Sequence, residues 1–572
     1  MSGALATSPA ARREELQRAR QLLDEGDAAR AQPLVQAALD AGPDDPDALF
    51  LGGRIEALAG RIEQARALLG RAAEIRPDDA EAHLELGRLG VRARDFDAAL
   101  DAFSLALYYD PDNALALFEL GNVHRMRGDL DAAIELFRQA IEKDPKLARA
   151  YVDLGYAYLS RERTAEALDV LERAVELEPT SINGQNNLGY AYVRLEQYDR
   201  ALDVFARVCA ATPRTLLWPR LNYGNALNHT GHFAESERVY NYMLQLEPSN
   251  FTARWNRAHH LLGRKEYAEG WRDFGYRMQV DDVWYRRLIP FAPWKGEPLE
   301  GKTLLVSAEQ GLGDQIMFAS CLPEVVAAAK QVILECNERL LGLFQRSFPQ
   351  VRVIPGKQEK TPPWLGQVGH PDYHVLAGSL PGLLRNRLED FPRHEGYLVA
   401  DPLRAERWRA RLAGLGPGPK IGLSWRGGTH LTRRSLRSLA LHDLLLVLRM
   451  MGLRFISLQY GECAAELEGL RRETGIEVVH WPEAIDDYEE TAALCASLDL
   501  TLSVCTSVIH LNGALGKPVW VMVPAVAEWR YGVQGDSMPW YPSVRLIRQA
   551  SGGDWSDVFA RVTRDLAERF AA

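Results

Sequence analysis

A period of 34 residues governs the first half of this 572-residue chain, with units opening at residues 12, 46, 80, 114, 148, 182, 217 and 251. Gly53, Gly87, Gly121, Gly155, Gly189 and Gly224 hold the eighth position, and Ala258 takes it in the last unit. Ala31, Ala65, Ala99, Ala133, Ala167 and Ala201 hold the twentieth. Pro43, Pro77, Pro111, Pro145, Pro179, Pro213 and Pro248 close the first seven units, where a helix must stop because proline disfavours the helical conformation before it. One residue inserted near 215–217 shifts the register without breaking it. Small residues at two fixed positions predict two helices per unit that touch closely. A helix pair cannot bury its apolar face alone, so the copies stack into an α superhelix with a concave groove.

This is the tetratricopeptide pattern, and it predicts an array over residues 12–278, about eight units, after a disordered N-terminus over 1–11. Acids spaced as in a metal-binding Asp-x-Asp, Asp95 with Asp97 and Asp129 with Asp131, fall at the turn inside a unit, where they read as helix caps. The sixth position runs Glu85, Glu119, Asp153, then Asn187, Asn222, Asn256. If the first helix of each unit lines the groove, the three asparagines form an amide ladder able to donate to and accept from an extended peptide. Asparagine is also simply common there, and the sequence leaves both readings open.

Composition narrows the rest. A formal net charge of -10 argues against general nucleic-acid binding. Cys209, Cys321, Cys336, Cys463, Cys495 and Cys505 show neither a Cys-x-x-Cys pair nor regular spacing, which predicts reduced thiols and no zinc site. The first residues lack the apolar core of a signal peptide, and no apolar run is long enough to span a bilayer. The expectation is a cytoplasmic, multidomain protein.

An aromatic junction over 279–301 follows the array. Together with the aromatic stretch 267–276 before it, Trp284, Tyr285, Phe291 and Trp294 predict firm packing on the next domain. Short apolar runs then alternate with helical stretches, first one opening at Thr303 and then 331–336, 351–354, 373–376 and 396–400, followed by 421–425, 454–459, 477–480, 500–504 and 519–523. Such alternation predicts two mainly parallel sheets with helices on both faces. The glycine- and proline-rich stretch 414–420 suggests domains at 302–412 and 413–572, facing one another across a cleft.

Three loops carry candidate chemistry. After the first strand comes Glu309-Gln-Gly-Leu-Gly-Asp314, in which Gly311 and Gly313 allow a tight turn and close backbone approach. Asp314 reads either as a helix cap or as a carboxylate facing the crevice at the strand's carboxyl end. The loop 424–438 brings Arg426, Gly427, Gly428, Arg437 and Ser438, suited to bind phosphate or to remain a solvated basic loop. After Cys505 at a strand end, Thr506 and Ser507 open a helix whose hydroxyls and amides could hold an anion, with His510 and Gly513 further along it. His510 faces a ligand or lies satisfied against the sheet. The aromatic run 528–545 reads as a nucleotide wall, a base-stacking surface, or packing between the two halves.

With these loops in hand, residues 290–550 resemble the bacterial ADP-heptose:lipopolysaccharide heptosyltransferase type, and the whole is similar to tetratricopeptide-repeat glycosyltransferases. The resemblance rests on 309–314, on Arg437-Ser438 and on Thr506-Ser-Val-Ile-His-Leu-Asn-Gly-Ala-Leu-Gly-Lys-Pro518. It implies a GT-B double Rossmann fold, with the acceptor on the first half and a nucleotide-sugar on the second. It also implies inverting, metal-independent transfer to a protein or peptide presented by the array, with no cofactor beyond the nucleotide-sugar substrate. In this reading Asp314 is the catalytic base. Gly311, Gly313, Arg426, Gly427, Arg437, Ser438, Thr506, Ser507, His510 and Gly513 surround the donor, and no residue binds a metal. Similar repeat-containing transferases imply flagellin or another surface protein as acceptor. One departure stands out: Cys505 replaces the aspartate that usually precedes the threonine. The alternative is an interaction scaffold whose transferase-like part is inactive.

Overall fold

A computed structural model of the chain describes residues 9–280, 287–357, 359, 362–428 and 434–570. Residues 1–8 of the expected disordered N-terminus, Trp284 and Tyr285 of the junction, and 429–433 of the basic loop lie outside the described residues. The chain forms two compact units, Met1–Thr212 and Pro213–Ala572.

The first unit is built of helix pairs, from Pro9–Asp24 with Ala28–Ala41 to Ile182–Arg194 with Tyr198–Ala211. Its first helix begins at Pro9, inside the stretch expected to be disordered. The eighth-position glycines are required by the residue facing them. A Cβ on Gly53 would lie 2.5 Å from Leu69, on Gly87 2.4 Å from Phe103, and on Gly155 2.4 Å from Leu171. Ala65, Ala99, Ala133, Ala167 and Ala201 are wholly buried at the twentieth position. The paired acids are caps and surface partners. Asp95 accepts from the Ala98 amide and Asp129 from the Ala132 amide, while Asp97 pairs with Arg127 at 2.8 Å.

The second unit opens with two further pairs, Leu217–His229 with Phe233–Leu246 and Phe251–Gly263 with Tyr267–Phe274. Small residues persist at the twentieth position as Ser236 and Gly270. The Ser236 hydroxyl donates to the Gly224 carbonyl at 2.7 Å, and a Cβ on Gly270 would lie 2.8 Å from Leu262. The array expected as one domain is therefore shared between the two units. The physical reason is Trp271, which is buried, donates to the Arg385 carbonyl at 2.9 Å, and meets the rings of Trp529 and Trp540 at 5.5 and 6.2 Å. That contact makes the last repeats part of the α/β core.

The first sheet holds β1 (Thr303–Ser307), β2 (Gln331–Cys336), β3 (Arg352–Pro355) and β4 (Tyr373–Leu376), all parallel in the order β3-β2-β1-β4. The second holds β5 (Lys420–Ser424), β6 (Arg454–Ser457), β7 (Val478–Val479), β8 (Leu500–Val504), β9 (Val519–Val523), β10 (Ser537–Met538) and β11 (Tyr541–Arg548). Its order is β10-β11-β9-β8-β5-β6-β7, parallel except where β10 meets β11. In both sheets the chain runs outward from a central strand and then returns to that strand's other side. The reversals lie at β1/β4 and β5/β8, the positions where open sheets leave a crevice at the carboxyl ends of their strands.

Apolar side chains leave both faces of the strands. Leu304 and Val306 join a core that continues through Leu262 and Trp271 of the repeats to Val519 and Val521, whereas Leu305 packs with Trp364 on the opposite face. Phe291 lies against the Trp364 cluster, so the junction packs on the first sheet as expected.

Three expectations are corrected. Residues 396–400 form no strand, because the Tyr397 and Leu398 amides both donate to the Ala514 carbonyl, at 2.7 and 2.9 Å, as the chain crosses between halves. The helix Pro402–Ala413, placed by sequence in the first half, packs on the helix Tyr488–Ala496 of the second, where Arg404 and Trp408 bond Glu490. The eight-residue β11 begins inside the aromatic run and extends beyond it, where the sequence pattern predicts no strand.

The glycine packing yields a paired prediction. Gly87→Ala overpacks Phe103 and should lower stability by about 1–2 kcal/mol. Gly70→Ala, in a helix interior with no neighbour within 4 Å, should raise it by about 0.5–1 kcal/mol. Urea unfolding of the two variants beside the wild type checks both signs.

Candidate functional site

The loops that end β1, β5 and β8 emerge at the two topological reversals. After β1, Glu309 turns inward and forms a fully buried ion pair with Arg277, at 2.6 and 3.1 Å. A Cβ on Gly378 would lie 2.1 Å from the Glu309 carboxylate, so glycine at 378 makes room for it. Gln310 takes a left-handed backbone conformation (φ 63°), a strain that the anchored neighbours hold in place. Gly311 caps the helix Leu312–Phe318, and Asp314 sits in its first turn with the Gly311 backbone donating to its carboxylate. Asp314 thus does stabilise the helix start, from inside the helix and not from the capping position.

Its main partner is Arg530, whose Nε donates to Asp314 Oδ1 at 2.7 Å. Arg530 also donates to Glu528 at 3.2 Å, and Glu528 in turn accepts from Arg437 at 2.8 Å. An alternating chain of charges, Asp314, Arg530, Glu528, Arg437, therefore runs from the first half to the basic loop of the second. Burial lifts the Asp314 carboxyl above its usual range, against the pull of Arg530. This chain of charges links the two halves that the sequence places across a cleft.

The basic loop is shaped from within. The buried Gln459 side chain accepts from the Trp425 and Arg426 amides at 3.0 and 2.8 Å. Ser438 closes the base of the loop, accepting from the Gly427 amide and donating to its carbonyl. Arg426 turns to the Glu462 carbonyl and to Glu466, away from Asp314's chain of charges. Gly427 is needed because a Cβ there would lie 2.7 Å from the Cys505 carbonyl. Gly428, with φ 78°, leaves room for the Arg437 guanidinium that crosses it, 2.3 Å from where a Cβ would be.

The loop after β8 starts the helix Ser507–Ala514 at Thr506, whose hydroxyl pairs with Ser503 at 3.1 Å and makes no cap to the helix amides. Ser507 is half-buried. Cys505 is buried, and burial pushes its thiol up to about 12, which keeps it neutral. His510 is the satisfied core histidine, bonded through Nδ1 to the Tyr541 hydroxyl at 3.1 Å and lowered to about 3 by burial. Gly313 lets the helix Leu312–Phe318 approach it, since a Cβ would lie 2.9 Å from the His510 ring. Gly513 admits the Tyr541 ring in the same way, at 2.5 Å. Gly313, His510 and Gly513 thus belong to the joint between the halves.

The asparagines of the ladder are half-buried, Asn187 in the first unit and Asn222 and Asn256 in the second. Asn256 donates to Asn225 at 2.7 Å, which also accepts the Tyr240 hydroxyl. Glu85 and Glu119 of the acid patch share Arg88 at 2.8 and 3.1 Å. Glu528 and Arg530 are the site residues the sequence reading passed over. Two opposite charges among aromatics, just beyond an apolar strand, were the available signal.

Comparison with known proteins bears on the helical part above all. Models of the family described as Tetratricopeptide repeat match residues 22–89, 84–148, 118–182 and 152–214. These helix pairs are tetratricopeptide repeats. Protein FlbA of Caulobacter vibrioides is 36% identical over 332 residues, which is 55% of this chain and 55% of that protein. The chain thus spans about half the length of the curated relative it matches. Among solved structures, MamA is 25% identical, covering 30% of this chain and 92% of its own with a TM-score of 0.27. PilF of Pseudomonas aeruginosa is 19% identical, covering 37% and 96%, with a TM-score of 0.35. Among the described residues no helix is long and apolar enough to cross a membrane.

The buried histidines set a pH response. His510 has a folded value near 3 against an ordinary 6.5, and His260 and His374 are lowered by burial to about 4. Between these values the unfolded chain binds protons that the folded chain refuses. Stability is therefore full above pH 6.5 and falls as the pH drops, by about 2 kcal/mol per such histidine at pH 5. Urea titrations at pH 7 and pH 5 should show this loss, and His510→Gln should make it shallower.

Proposed function

We propose that the chain is a glycosyltransferase that moves a sugar from a nucleotide-sugar to a protein or peptide acceptor bound by its repeats. The observation that carries this reading is that the loops after β1 and β5, each at a sheet reversal, meet the turn beyond β9 on one chain of charges, Asp314, Arg530, Glu528, Arg437. In the reaction, an acceptor hydroxyl oxygen attacks the anomeric carbon while the bond from that carbon to the diphosphate oxygen breaks. The bonding pair leaves with the diphosphate, and the hydroxyl proton passes to the Asp314 carboxylate. A carboxylate lifted by burial is a better proton acceptor than a solvated one. Charge grows on the departing diphosphate, and fixed arginines are suited to hold it. Groove positions such as Asn187, Asn222 and Asn256 are the candidate acceptor contacts. A GT-B arrangement, a cytoplasmic setting and a surface-protein acceptor such as flagellin belong to the same proposal.

A second reading has its own observation. Asp314 is held by Arg530 and a neutral thiol stands at Cys505, which suits an interaction scaffold whose α/β part is a closed, inactive module.

Transfer or hydrolysis across a panel of nucleotide-sugars, read with an acceptor co-purified on the full chain, separates the two. The transferase reading expects turnover in the wild type and a loss of about 100-fold or more in Asp314→Asn, with nucleoside diphosphate affinity retained. Wild-type turnover by Asp314→Asn would overturn Asp314 as the base, whereas no turnover and no nucleotide binding by the wild type would leave the scaffold.

A further inference from the structure

We propose that Arg437 and Arg530 form the seat for the diphosphate of a nucleotide, and that Glu528 occupies this seat in the free protein. Entry of the ligand then displaces Glu528 and releases Asp314 from Arg530. This inference rests on the transferase reading and adds Arg530 and Glu528 to its site.

Two guanidiniums from separate elements converge on one carboxylate. Arg437 comes from the loop after β5, and Arg530 from the short turn Trp529–Tyr531 beyond β9. Glu528 presents one oxygen to each, at 2.8 and 3.2 Å. A diphosphate presents the same pattern with more oxygens and more charge, so it is the stronger partner for an arginine pair. The surroundings fit an anion. Gly428 lets Arg437 lie flat against the backbone, and the Thr506 side chain leaves the first amides of the helix Ser507–Ala514 without a side-chain cap.

The mobile and fixed members can be told apart. Arg530 stands between Trp529 and Tyr531, both buried in the core, so its backbone is held. Its guanidinium also lies over the Trp529 ring at 4.8 Å. Glu528 ends an irregular stretch, 524–528, which no helix or strand holds. The carboxylate swings out and the arginines stay. Arg530 then exchanges its two carboxylate partners for phosphate oxygens, and Asp314 is left with the Gly311 backbone and a site free for the acceptor hydroxyl. The base is thereby unmasked only when the donor is present, and no proton or covalent bond is consumed in the exchange.

The test is calorimetric titration of the full chain with inorganic pyrophosphate and with UDP, GDP, ADP and CDP. Removing the internal competitor in Glu528→Gln should tighten pyrophosphate and at least one nucleoside diphosphate about tenfold, the order expected when a charge-assisted contact is lost to the free state. Glu528→Asp, too short to bridge both arginines, should fall between it and the wild type, and Arg530→Gln should weaken binding about tenfold or more. Thermal unfolding of each variant confirms the fold. Binding unchanged or weaker in Glu528→Gln, binding retained in Arg530→Gln, or no diphosphate binding to any form overturns the seat. The two readings fail separately. Tightening in Glu528→Gln without turnover of any nucleotide-sugar leaves the seat and removes the transferase, whereas turnover with an indifferent Glu528→Gln does the reverse.

Discussion

The second unit is organised by the burial of one indole. Trp271 belongs to the last repeat helix, its N–H is satisfied by the Arg385 carbonyl of the first α/β half, and its faces and edges meet Trp529 and Trp540 of the second. A buried tryptophan contributes a large apolar area, and its one donor must find an acceptor. Both conditions are met only when repeats, first half and C-terminal run come together. Tyr267 and Phe391, with ring centroids 4.8 Å apart, extend the same contact.

The charges in the joint follow a rule of pairing. Arg277 with Glu309 and Arg287 with Glu335 are buried pairs that fix the carboxyl end of the first sheet. Breaking such a pair leaves an uncompensated charge, which costs far more than the pair contributes. Asp314, Arg530, Glu528 and Arg437 obey the same rule in a chain that sums to zero. An alternating chain differs from an isolated pair because its middle members, Arg530 and Glu528, each have a second charged partner. Exchange within it is therefore cheap compared with opening a single buried bridge.

Much of this architecture was legible in the residues. The 34-residue period gave helix starts at 46, 80, 114, 148, 182, 217 and 251, because each repeat meets a copy of the same neighbour. Strands β2, β8 and β9 stand at their expected bounds, since a strand buried on both faces has sharp ends, and the half-buried β4 stands at its own. The glycines were harder. Gly313 and Gly513 look like ligand-loop glycines, yet the atoms that require them belong to His510 and Tyr541, and no local pattern announces such a partner. Residues 396–400 failed for a related reason: their apolar character serves a crossing between halves whose backbone bonds go to Ala514. Arg530 was hidden for the same cause, because its partner lies 216 positions earlier in the chain.

The division of the chain at 212/213 bears on how such a protein can grow. A repeat touches only its neighbours, so the first unit can gain or lose copies while the stacking rule stays the same. The last two pairs have no such freedom. They carry Trp271, and the Gly263 carbonyl accepts the Val533 amide at 3.0 Å, next to the turn that bears Arg530. Array length is thus an adjustable quantity at one end and a fixed one at the other. Shuffling a new groove onto this α/β part means cutting before residue 213, inside the array and not at its end.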